Sequence, residues 1–136
     1  MTSVSYTYKV GVRKSHVQCI IPIAIANMLH ITAGDKICFR VGSDNGDTSH
    51  VEARFKLKNN DIPQPPLGSY PVQTDACATI RKSGTSYYVN IPNLIRTQHT
   101  FQRGDVFRWT VEIAHDRQIS NVLIQYIPKK KGDDVT

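Results

Sequence analysis

The chain contains two copies of one pattern, and that repeat limits the architectures open to it. Arg81-Lys82-Ser83-Gly84-Thr85-Ser86-Tyr87-Tyr88-Val89-Asn90-Ile91-Pro92, then Gly104-Asp105, has a weaker copy in Arg13-Lys14-Ser15-His16-Val17-Gln18-Cys19-Ile20-Ile21-Pro22, then Gly34-Asp35. From Pro22 onward the copies align at an offset of 70, with Ile25 on Ile95, Ile31 on Phe101 and Leu57 on Ile127. Upstream, an offset of 68 sets Arg13 on Arg81 and Lys14 on Lys82, so the first turn reads as two residues shorter. A tandem repeat has to be recognised before any fold is assigned. A unit of about 50 residues buries only about 60% of its unfolded surface and is marginal alone. Two units sharing one core are therefore expected.

Charge follows the same division. Of the net +6, residues 9–57 carry seven Lys/Arg against four acids, and residues 79–128 carry six against three, +3 each. The stretch 58–78 is −1 and the tail 129–136 is +1. The positive charge thus belongs to the repeats and points to a polyanionic partner. Three cysteines, Cys19, Cys38 and Cys77, without a Cys-x-x-Cys pair, argue against a disulfide framework or a zinc knuckle and leave room for one structural disulfide. Cys19 and Cys38 read as small core residues in apolar strands. No apolar run approaches the ~20 residues of a membrane span, and the N-terminus has no apolar signal core. A soluble, cytoplasmic protein is expected, nucleoid-associated if it binds DNA.

In chain order, residues 1–8 are a Ser/Thr/Tyr lead-in, read as disordered or as an added edge strand. Lys9 to Lys14 alternates like a half-buried strand with a basic outer side. Val17 to Ile21 returns as a strand, and Pro22 opens a short helix facing Ile25, Met28 and Leu29 inward. Gly34-Asp35 is a turn, and Lys36 to Val41 with Ser49 to Leu57 a hairpin around Gly42–Asp47. Residues 58–78 hold four of the seven prolines and read as a semi-rigid connector. The second copy repeats the order, ending in the hairpin Val106 to Ile113 and Ile119 to Ile127. The expected domains are 9–57, the linker 58–78, 79–128, and a tail at 129–136.

A basic strand, a turn, a strand ending Ile-Pro, a short helix, Gly-Asp and a hairpin resemble the SpoVT-AbrB family of swapped-hairpin DNA-binding proteins. Lys82-Ser83-Gly84-Thr85-Ser86 with Val89-Asn90-Ile91-Pro92 and Gly104-Asp105 is similar to the antitoxin-like branch of that family. The two copies cover roughly 100 of the 136 residues. The resemblance implies a mostly β fold with short helices, in which two AbrB-like repeats form a pseudo-two-fold swapped-hairpin β-barrel. Here one chain would supply both halves as an intramolecular pseudo-dimer; pairing of repeats between chains, as a homodimer, is the alternative. It also implies duplex DNA binding through the strand, the turn and the helix start. Carried over by position, the candidate DNA-binding residues are Arg13, Lys14, Arg81, Lys82, Ser83, Thr85, Ser86 and Arg96. Arg96 has Ala26 as its counterpart in the first copy.

Interleaved halves would gather Arg13, Lys14, Arg81 and Lys82 into one compact positive surface. Lysine and arginine there would neutralise phosphates, and the hydroxyls would add polar contacts. Tyr87 and Tyr88 offer stacking for single strands or RNA, although adjacent strand residues face opposite ways. Trp109 reads as core, and Asp35 and Asp105 as turn formers. The five histidines show no metal-ligand spacing. No nucleophile–base pair, phosphate loop or carboxylate dyad is present locally, so neither an enzyme, a metal nor a cofactor is expected. The expectation is a transcriptional regulator or DNA-architectural protein. The alternative is an antitoxin-like or adaptor module that binds protein, with the Pro-rich stretch as its partner segment.

Overall fold

The repeat is visible in strand pairing. The computed structural model describes residues 2–44 and 48–129. The described elements are β1 Thr2–Lys9, β2 Gly11–Val12, β3 Val17–Ile21, α1 Ile23–Met28, β4 Lys36–Asp44, β5 Thr48–Lys56, β6 Val72–Thr79, β7 Arg81–Ser83, β8 Ser86–Asn90, α2 Asn93–Gln98, β9 Val106–Ile113 and β10 Ile119–Ile127. They form a six-stranded sheet, β1-β9-β10-β5-β4-β6, and a four-stranded sheet, β2-β3-β8-β7. The protein is therefore mostly β with short helices. The sheets are hydrogen-bonded separately and do not close into one barrel, which corrects the closed form of that expectation.

Each half lends its first strand to the other. β1 pairs with β9, and β6 pairs with β4, in the same register shifted by 70 residues from Lys36 to Val41, with an irregularity at Gly42. The chain then turns a corner into the small sheet at Val10 and Ile80. Val10 N donates to Asp105 O at 2.8 Å, and Ile80 N to Asp35 O at 2.7 Å. Both corner side chains are buried. In the small sheet, β3 lies against β8 with Cys19 opposite Val89, which are themselves counterparts in the two copies. In the large sheet, Ile124 lies opposite Ala53. A pseudo-two-fold axis runs through these two pairs.

The registers also correct the alignment. Gly11 pairs with Gln18, and Arg81 with Tyr88, so the offset is 70 upstream as well. Arg13 therefore corresponds to Ser83 and Lys14 to Gly84, and the two turns have equal length. The insertion lies elsewhere. The β9–β10 ladder shifts between Ile119 and Asn121, a β-bulge that adds one residue. Beyond it the offset is 71, and Leu57 corresponds to Pro128 rather than to Ile127. Phe55 then matches Tyr126, both inward.

One apolar cluster draws on both sheets and both halves, including Cys19, Ile21, Ile37, Phe39, Ile80, Val89, Phe107 and Trp109. Alternation along the strands produces it, since residues i and i+2 share a face. Burying a side chain such as Ile80 contributes about 1.5–3 kcal/mol. Each helix is six residues long, begins after a proline, and buries one central isoleucine, Ile25 or Ile95. Gly34 and Gly104 have φ of 99° and 100°, the left-handed region that glycine enters without Cβ strain.

The lead-in takes the second of its two expected forms, an added edge strand, and part of the expected connector is also a strand. Residues 2–9 are the edge strand β1, and residues 72–79 of the expected linker are β6. The remaining connector is tied down. Gln64 bonds both backbone groups of Phe55, accepting from its N at 2.8 Å and donating to its O at 3.0 Å. Val122 N donates to Pro63 O at 2.8 Å, so this segment bridges β5 and β10 where they part. Residues 130–136 of the expected tail lie outside the described residues.

Candidate nucleic-acid interface

The small sheet carries the residues singled out in the sequence. Its two hairpins, β2–β3 and β8–β7, are joined along β3–β8 into one surface. Because β3 and β8 are antiparallel, the two turns point in opposite directions. Counting residues along the ladder at about 3.3 Å each places the turn tips about 30 Å apart. Arg13 and Lys14 are exposed at one tip. Ser83, Gly84, Thr85 and Ser86 are exposed at the other, with Arg81 and Lys82 exposed on the edge strand behind it.

The expected compact cluster of four cations is therefore not formed. Arg13 and Lys14 sit beyond one outer strand, and Arg81 and Lys82 sit on the opposite outer strand. Strand spacing and rise put the two pairs about 20 Å apart on the same sheet. The cause is the corrected alignment, since the two basic pairs occupy different steps of the hairpin. The turns also differ in conformation. Gly84 has φ of 60°, while Lys14, its counterpart, is not among the residues of positive φ.

Cross-strand pairs share a face, which sorts the remaining groups. Arg81, Tyr88 and Ile20 form one outward row, and Asn90, Gln18 and Gly11 form the next. Tyr88 thus faces outward, whereas Tyr87 packs against the core. Lys82 shares the Tyr87 side, and its Nζ lies 5.4 Å from that ring centroid. Arg96 is half-buried and its Nη1 donates to Ser15 O at 3.1 Å. It braces the Arg13-Lys14 turn against α2 instead of projecting freely. A cleft of about 230 Å³ between that hairpin and α2 is lined by Arg13, Asn93, Arg96 and Thr97 among others.

The Gly-Asp turns hold the frame of this surface. Asp35 accepts from Thr32 N at 2.9 Å and Lys58 N at 3.0 Å. Asp105 accepts from Gln102 N and Lys129 N, both at 2.8 Å, and from Tyr126 Oη at 2.6 Å. The two aspartates are the buried charged residues of the described chain, and both act as turn formers, in agreement with the sequence reading. Tyr126 also meets His99 Nε2 at 2.8 Å. Burial lowers the His99 pKa below its ordinary value, with Asp105 pulling the other way. Burial and the Asp105 carboxylate raise the Tyr126 pKa. Trp109 is fully buried, as expected.

Cys38 and Cys77 form a disulfide. They lie opposite each other in the β4–β6 ladder, on the outer face. This corrects the reading of Cys38 as a core residue; Cys19 is the buried free thiol, its pKa raised by burial. The sequence conceals the pairing because Cys77 lies at the end of the stretch whose prolines read as a connector. Among the described residues no group of His, Cys, Asp and Glu is placed to hold a metal ion, and no helix is long and apolar enough to cross a membrane.

Comparison with family models, curated proteins and solved structures finds no match.

Proposed function

We propose that the protein binds duplex DNA through the outer strands and turns of its small sheet, as a regulator or DNA-architectural protein of the SpoVT-AbrB type. The observation that carries this reading is the joining of two hairpins into one sheet, with exposed cations at one tip and on the opposite edge strand. The tip separation of about 30 Å is close to one turn of B-DNA, about 34 Å. Two tips so spaced fit successive exposures of one groove. Arg13 and Lys14 serve phosphates at one tip, and Ser83, Thr85 and Ser86 supply hydrogen bonds to phosphate or base edges at the other. Arg81 and Lys82, about 20 Å from the first pair, serve phosphates between them, with Lys82 reaching past the strand edge from the Tyr87 side. The exchange of β1 and β6 between halves supports the swapped-hairpin kinship. With the two sheets bonded separately, the pseudo-two-fold barrel it implies is an open one.

Fluorescence anisotropy with a labelled duplex tests the reading. Binding at low salt that weakens steeply as salt rises supports it, and failure to bind at about 50 mM salt overturns it. A protein-binding adaptor is the second reading, favoured by the exposure of Leu94 and Ile23 at the helix starts, 62% and 46%. The Pro-rich stretch is less available for that role than its composition implied, because Gln64, Pro63 and Gly68 anchor it to β5 and β10. A stoichiometric protein partner without nucleic acid would favour the adaptor.

A further inference from the structure

We infer that the free edge of β1 is a self-association site, where a second copy of this chain adds its own β1 antiparallel to the first. The six-stranded sheet ends on this strand, and β1 is paired with β9 along all eight of its residues without a bulge. Its backbone orientation follows from the corner beside it. Val10 N donates to Asp105 O, and 10 opposite 105 continues the β1–β9 register. Hydrogen-bonded and non-hydrogen-bonded pairs alternate along an antiparallel ladder. Thr2, Val4, Tyr6 and Tyr8 therefore turn their N–H and C=O groups toward β9. Ser3, Ser5 and Thr7 turn theirs outward, and all three are exposed.

Proteins protect such edges with charges, prolines, bulges or short strands. The pseudo-two-fold counterpart β6 is protected in this way. It carries Asp75 at mid-strand, follows Pro71, and has a register irregularity opposite Val41 and Gly42. From residue 2 to residue 8, β1 has none of these devices. Its sequence is also self-complementary about Ser5. In a two-fold pair, Ser5 meets Ser5, Ser3 meets Thr7, Val4 meets Tyr6 and Thr2 meets Tyr8. The outward backbone groups then face one another in hydrogen-bonded pairs. Each inner-face pair joins an aromatic to a β-branched side chain, which is favourable. No charge opposes a charge, since Lys9 lies beyond the overlap. This absence of repulsion over a matched register favours a second copy over an unrelated strand.

The test is the molar mass of the full chain by sedimentation, and DNA plays no part in it. A dimer is expected at about 100 µM protein. Ser5→Pro removes an outward donor while leaving the β9-facing groups intact, and Ser5→Lys places two like charges at the axis. Both are expected to give monomers with an unchanged circular-dichroism spectrum. Each also loses the Ser5 Oγ–Thr110 Oγ1 contact of 2.9 Å. Thr110→Val loses the same contact without touching the edge, and it should remain a dimer. A wild-type monomer up to about 1 mM, or a dimer that survives Ser5→Lys, overturns the inference.

Discussion

Removing the Asp105 carboxylate strands three donors, from Gln102, Tyr126 and Lys129, around a buried site. Buried donors left unpaired cost about 1–3 kcal/mol each, and some regain water at the chain surface. Asp105→Ala is accordingly expected to lower the urea-unfolding free energy by about 3 kcal/mol. Asp35→Ala, which lacks a tyrosine partner, should cost less. Equal, negligible losses would show that these turns hold little. His99 sets a pH dependence of the opposite origin. Its folded pKa is lowered, mainly by burial, so the unfolded chain binds the proton more readily. That stability is present above the ordinary histidine pKa of about 6.5 and is lost as pH falls through the folded value. Melting temperature should therefore drop on acidification from pH about 7.5 to about 5.5, and drop less in His99→Gln.

At the scale of elements, the Cys38–Cys77 bond ties β4 of one half to β6 of the other across a separation of 39 residues. Chain-entropy arguments give such a loop about 4 kcal/mol, an upper figure. Reduction, or the double Cys38→Ser and Cys77→Ser change, should lower unfolding stability by about 2–4 kcal/mol without loss of strand content. A change within about 0.5 kcal/mol would mean that the ladder itself holds β6. Which elements were legible follows the same physics. Strands β3, β4, β5, β9 and β10 announced themselves by alternation, and the helices by Pro22 and Pro92. β1 and β6 were obscured by Ser, Thr and proline-rich surroundings, although an offset of 70 lays residues 2–9 on 72–79. The basic dipeptides drew the upstream alignment to 68, but register is decided by burial, and Val10 matches Ile80. The identities of the site residues were thus readable, while their grouping was not. It depends on two antiparallel strands meeting at Cys19 and Val89.

For the molecule as a whole, two fused half-units trade strands about one apolar centre, and four of their exposed cations, Arg13, Lys14, Arg81 and Lys82, fall into two groups on the small sheet. Four exposed cations neutralising four phosphates predict a log–log salt slope of about −3.6 for duplex DNA. Replacing one group should reduce the slope by its share and leave the fold unchanged, because these side chains lie outside the core. The most direct measurement is duplex affinity across a salt series for wild type, Arg13→Ala/Lys14→Ala and Arg81→Ala/Lys82→Ala. The account predicts a slope that becomes shallower by about 2 in each double variant. A wild-type slope near zero, or variants that bind with the wild-type slope, would contradict it.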